Sequence, residues 1–201
     1  MKKLTGLLAE LQEPFRSMAF VAAATGLHRG ELIGLQWADI DFVAGLIQPR
    51  RSVVNQNVGK LKTVASGKPV ALDPSLSHAL ANLKARSPFN RPEDWVFASP
   101  ASAGGKPYWP DMVLNRRVRP AAAALGITKQ IGWHTFRRTY ASLLKSSGAD
   151  VKVVQDSLRH ANARITIELY TQALTEDKRT AQTKVVQMML SRANPLLAMA
   201  G

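Results

Sequence analysis

Hydrophobic and polar positions along the chain fall into two kinds of pattern. From Glu13 to Gly26 the stretch EPFRSMAFVAAATG runs into the nearly apolar MAFVAAATGL, with Pro14 suited to a first helical turn and Gly26 to a carboxyl-terminal cap, which predicts a helix. A second, short helix is predicted over RGELIGLQW. Between Ile40 and Leu72 the pattern changes to β-branched residues in RSVVNQNV and KPVAL, separated by Gly45, Gly59 and Gly67. That predicts a small antiparallel sheet of about three strands and puts Lys62 on a strand or hairpin. In DPSLSHALANLKARS, Asp73 reads as an N-cap and Pro74 as the first helical residue, whereas SPASAGGKPYWPD reads as a loop. Helical pattern resumes through MVLNRRV, HTFRRTYASLLKSSG and DVKVVQDSLRH, with Gly148 ending one helix and Asp150 capping the next. The last helical segment, TEDKRTAQTKVVQMMLSR, has its acids early and bases late, as the helix dipole favours. The predicted fold is mainly α with a small antiparallel three-stranded β-sheet near the front, in one domain without internal repeats.

Composition narrows the function. A chain of 201 residues that is 46% hydrophobic can bury a substantial core. Cysteine is absent, which excludes disulfides, thiolate metal sites and cysteine nucleophiles and fits a reducing cytoplasm. The run MAFVAAATGL is too short to cross a bilayer, and Glu10 interrupts MKKLTGLLAEL where a signal peptide needs unbroken apolar sequence. The expectation is a cytoplasmic protein with no membrane contact. Lys and Arg number 27 against 14 Asp and Glu, a net charge of +13, so a polyanion is the expected partner, DNA and RNA not being separable on charge. Five basic residues and no acid lie between Arg50 and Lys68, and seven lie between Lys106 and Arg138 with only Asp111 against them. Both regions are candidate phosphate-facing surfaces.

The segment HTFRRTY places His134 and Arg137 one helical turn apart, so that an imidazole and a guanidinium can address one group. Past it comes LRHANARITIELYTQA, with His160 and Tyr170. With ATGLHRGELIGLQWADID and KLKTVASGKPVAL upstream, these pieces in this order resemble the tyrosine recombinase, or phage integrase, family over almost the whole chain.

The resemblance implies the family's catalytic-domain fold and the breaking and rejoining of double-stranded DNA without cofactor or metal. It also implies self-association on DNA, as a tetrameric synapse. Such a domain normally follows a smaller helical core-binding domain, which is expected to be absent from residues 1–201. Transesterification of a phosphodiester needs an in-line nucleophile and fixed positive charge around the non-bridging oxygens. By the resemblance Tyr170 is the nucleophile and forms a 3′-phosphotyrosyl intermediate, and Arg137 forks onto the phosphate oxygens. Lys62 matches the lysine that protonates the departing 5′-oxygen, with Lys60 and Lys68 as neighbours that blur the choice. His134 matches the proton manager, and His160 a hydrogen-bond donor to the phosphate.

Tyr108 and Tyr140 are read as structural, and Arg116, Arg117, Arg119, Arg138, Lys60 and Lys68 as contacts to the DNA backbone. One position departs from the family, whose first box reads Thr-Gly-Leu-Arg: here His28 stands where the family has arginine, and Arg29 follows it. Adjacent helical residues differ by roughly 100° in direction, so Arg29 replaces that arginine only if the turn shifts. This departure keeps open a second reading, a catalytically impaired DNA-binding relative acting as regulator or assembly subunit. A type IB topoisomerase-like enzyme ranks third, because its closing box differs from LRHANARITIELY.

Overall fold

The computed structural model describes residues 2–159 and Thr166. The chain divides into two units, Met1–Ala161 and Asn162–Gly201, and the description concerns the first. Its elements run α1 (Lys2–Glu10), α2 (Phe15–Thr25), α3 (Arg29–Ile33), β1 (Ile40–Asp41), β2 (Leu46–Ile47), β3 (Ser52–Val54), β4 (Asn57–Gly59), β5 (Val70–Ala71), α4 (Pro74–Arg86), α5 (Pro110–Val113), α6 (Arg119–Ala124), α7 (Trp133–Ser146) and α8 (Val151–Ser157). The mainly helical class with a small antiparallel sheet is as the sequence pattern predicts.

Helix α2 is central. Only Arg16, Phe20 and Ala24, spaced four apart on one stripe, escape full burial. Helix α1 lies along that stripe, and Arg16 fastens it by donating from Nε to the carbonyls of Leu8 (3.1 Å) and Leu11 (2.8 Å). The sequence reading did not include α1, although Leu4, Leu7, Leu8 and Leu11 carry helical spacing. Helices α4 and α7 pack on other sides of α2, so a continuous core joins Met18 and Val21 to Leu76, Leu80, Trp37 and Phe97. Pro14 stands one residue before α2 rather than inside its first turn.

Two corrections concern the β region. The three-stranded sheet is β1-β2-β5, paired Ile40 with Ile47 and Ile47 with Val70. RSVVNQNV, however, is a separate hairpin, β3 with β4, in which Val53 faces Val58. Its turn falls at Asn55 and Gln56, both at positive φ (49° and 63°), the conformation of a two-residue primed turn. Gly59 therefore sits within β4 instead of separating strands. Lys62 lies beyond this hairpin, in an exposed bend before the 3₁₀ turn Val64–Gly67, and not on a strand.

Between α5 and α6 the helix widens into a π turn over Leu114–Val118. Pro120 lacks the N–H that an α-helix would direct to Arg116, and its ring would crowd that carbonyl. The Arg119 N–H instead reaches back five residues to Leu114, and the extra residue relieves the crowding. The segment is held to the start of α7 by Trp133 Nε1, which donates to Pro110 (3.0 Å), and by Arg119 Nε, which donates to Ile131 (3.1 Å). Among the described residues no helix is long and apolar enough to cross a membrane.

Asp39 locks the start of the sheet to the helical core. Its buried carboxylate accepts from the Gln36 N–H (2.9 Å) and from both terminal nitrogens of Arg51 (2.6 and 3.3 Å). Losing the carboxylate strips the Gln36 N–H and the half-buried Arg51 of their acceptor, so Asp39→Ala is expected to destabilise the fold by about 1.5–3 kcal/mol. Urea unfolding checks this: the midpoint falls while the slope is unchanged.

Candidate active site

The turn that follows α2 builds the first wall of the site. Thr25 is fully buried and turns its hydroxyl back to the Val21 carbonyl (2.6 Å), while Gly26, at φ 61°, ends the helix in the left-handed region. A side chain at Gly26 would stand 2.7 Å from the Tyr140 ring, so only glycine fits both the turn and its neighbour. His28 then caps α3. The Glu31 carboxylate, buried within the first turn of that helix, accepts from the His28 backbone N–H at 3.0 Å.

Arg137, on α7, reaches this turn from the opposite side. It is buried, and its guanidinium donates to the carbonyls of Gly26 and Leu158, the residues that end α2 and α8. Helix carboxyl ends carry partial negative charge, which favours a cation there. Burial, first, and the nearby Arg159 push the Arg137 pKa down to about 10, with Glu31 opposing, so the group stays charged at neutral pH.

Arg159 completes the arrangement, and no sequence signal pointed to it. It follows α8 at φ 54°, a left-handed conformation that non-glycine residues seldom adopt. From there its guanidinium, 5% exposed, donates to Glu31 Oε2 (2.6 Å) and to the Ser66 carbonyl (2.7 Å). One carboxylate oxygen thus holds both the His28 backbone and Arg159. The Ser66 contact docks the 3₁₀ turn that follows Lys62, and Thr63 stiffens that turn by capping it through the Ser66 N–H (3.2 Å).

The sequence-derived candidates are therefore distributed unevenly. His28, His134 and Arg137 fall within electrostatic reach of one another, His134 exposed one turn before Arg137 on α7. Lys62 is exposed four residues from the docked Ser66. Arg29 turns away from the group and pairs with Asp111 at 3.3 Å across exposed surface. Arg116 and Arg138 are exposed; Arg117 lies over the Phe15 ring (5.2 Å), and Arg119 is engaged by Asn115 and Ile131. Lys60 and Lys68 are exposed on either side of Lys62. His160, Tyr170 and the predicted helix within residues 175–192 lie outside the described residues.

The other two tyrosines sit in packing environments. Tyr140 lies against Gly26, and burial raises its phenol pKa. Tyr108 meets Phe15 edge-on at 5.2 Å, and burial raises its pKa as well.

Comparison with known proteins agrees with this architecture. The phage integrase family model matches residues 1–177, and the chain belongs to that family. It is 25% identical over 185 residues to the integrase of Staphylococcus phage L54a, covering 84% of this chain and 51% of that protein. It is 30% identical over 172 residues to the tyrosine recombinase XerD of Mycobacterium leprae, covering 80% and 50%. The chain spans about half the length of these curated relatives. Among solved structures, the Tn1549 transposon integrase bound to circular intermediate DNA superposes with a TM-score of 0.73 at 18% identity, over 90% of this chain and 64% of that one. A lambda integrase dimer on its core site superposes with 0.58 at 19% identity, over 84% and 56%. These structures show the shared fold of the tyrosine recombinase catalytic domain.

His28 yields a test of the site's electrostatics. His28 keeps accessible surface, yet crowding by the site strips part of its hydration, and that loss first, then Arg137, Arg159 and His134, lowers its pKa below the ordinary 6.5, with Glu31 opposing among the described residues. The unfolded chain therefore binds more protons than the folded one below pH 6.5, so stability is full above that value and declines as pH falls through the lowered folded-state pKa. Thermal unfolding between pH 7.5 and about 5 is expected to show this decline, and His28→Gln to flatten it relative to the native chain.

Proposed function

We propose that this chain is the catalytic domain of a site-specific DNA recombinase that cleaves and rejoins strands through a phosphotyrosyl intermediate. The observation that carries the reading is the placement of two buried guanidiniums at the turn that bears His28, Arg137 on the Gly26 carbonyl and Arg159 on Glu31, the one carboxylate paired there among the described residues. A phosphodiester is the group whose transition state needs such an excess of fixed positive charge. Family membership, and relatives named as integrases and recombinases, favour this over the regulator reading.

In the proposed reaction the Tyr170 oxygen attacks the scissile phosphorus as the bond to the 5′-oxygen breaks. The product is a 3′-phosphotyrosyl ester and a free 5′-hydroxyl, which receives its proton from Lys62. Rejoining runs the same steps backwards with a 5′-hydroxyl from another strand. Arg137 holds a non-bridging oxygen, His134 takes the phenolic proton that Tyr170 loses as it attacks, and His160 hydrogen-bonds the phosphate. Arg116, Arg117, Arg138, Lys60 and Lys68 are assigned to the DNA backbone, Arg119 contributing with the capacity its internal contacts leave. Self-association on DNA belongs to the same proposal.

Two measurements test it. Tyr170→Phe is expected to abolish covalent attachment to a nicked suicide duplex while duplex affinity stays within about twofold, because the ring remains and only the nucleophilic oxygen is lost. An adduct retained by that variant, or mapped to Tyr140, defeats the assignment. Duplex binding should also weaken steeply with salt, by roughly 10³ to 10⁵ between 50 and 200 mM for six to ten phosphate contacts. An affinity indifferent to salt contradicts the proposed interface.

A further inference from the structure

Two guanidinium groups are buried at this site, and among the described residues one carboxylate, Glu31, lies with them. Arg137 is 4% and Arg159 5% exposed, and each acts electrostatically on the other. Glu31 is already shared between Arg159 and the His28 backbone. Backbone carbonyls of Gly26, Leu158 and Ser66 solvate the two cations but carry no net charge. The Arg159 Nε–H is buried without a hydrogen-bond partner among the described residues. A buried donor on a cation that lacks an acceptor costs more than a neutral one, and it persists where the structure gains something by keeping it.

We propose that Arg159 is a phosphate-binding residue of this site: its unpartnered Nε–H donates to a non-bridging phosphodiester oxygen, and its permanent charge supplements Arg137 at the place where His28 stands. The inference rests on the recombinase reading for the identity of the phosphate as DNA, but not for the existence of the anion site. Three geometric facts converge on it. The two terminal nitrogens each hold a partner, Glu31 and Ser66, which leaves Nε as the guanidinium nitrogen with none among the described residues. The left-handed backbone at φ 54° is a strained conformation for arginine, maintained by those same contacts. The alternative cation, Arg29, is turned to Asp111. Arg159 also bridges the turn after Lys62 to the cap of α3, so an anion held there is registered against both segments.

The first experiment titrates inorganic orthophosphate into the native full-length chain and follows arginine Nε–H resonances by NMR, each assigned through its own side-chain carbons. A saturable shift of the Arg159 Nε–H is expected; no movement there, with shifts confined to exposed arginines, overturns the proposal. The second compares covalent-adduct formation on a suicide duplex carrying either a normal scissile phosphate or a methylphosphonate, in which a methyl group replaces one charged oxygen. Arg159→Gln is expected to slow the phosphodiester reaction by roughly 10² to 10³ but to come within about tenfold of the native chain on the uncharged substrate. Equal slowing on both substrates by a folded Arg159→Gln means a merely structural role and overturns the proposal. Should the variant not fold, the titration of the native chain decides alone. Failure of the native chain to form any adduct defeats the recombinase reading, and the orthophosphate titration still judges Arg159.

Discussion

Burying two guanidinium groups next to one another is possible only if each is solvated by something other than water, and the architecture around α2 is arranged to do that. Arg137 spends its terminal nitrogens on the carbonyls that end α2 and α8, where backbone dipoles already present negative ends. Arg159 spends its own on Glu31 and Ser66. Without these partners the cost of stripping water from two like charges would be several kcal/mol for each ion, comparable to the net stability of a domain. The helix termini, the cap of α3 and the turn after Lys62 are thereby placed by the same few hydrogen bonds.

This solvation is incomplete in one respect that matters for function. Carbonyl oxygens satisfy donors without neutralising charge, and Glu31 supplies a single negative charge against two guanidiniums. The residual positive charge adds to lost hydration in favouring the neutral imidazole of His28. The balance suits a site whose anion arrives with the substrate. Fixing such charges in advance avoids reorganisation during the reaction, which is the main way a protein without metal assists phosphoryl chemistry.

The basic surface plays a different part. Exposed Arg116, Arg138, Lys60 and Lys68 stand in water, where charge steers and orients a polyanion but discriminates little. The buried pair acts where the dielectric is lower and geometry is fixed. Arg29 belongs to the first group, since Asp111 holds it at the surface.

The sequence by itself determined the helical class, the central helix ending at Gly26, the Asp73 and Asp150 caps, and the helix that carries His134 and Arg137 one turn apart, because these rest on spacings of one to four residues that local backbone geometry fixes. It did not reveal the turn at Asn55 and Gln56, since neither residue is a glycine that would have announced positive φ. Nor did it place Lys62 beyond the hairpin. Only the tertiary structure decided that Arg159 belongs to the site: its partner Glu31 lies 128 residues earlier, and Ser66 lies 93 residues earlier. Pairing at that distance depends on how α3, α8 and the turn after Lys62 pack around α2, and no local periodicity encodes it.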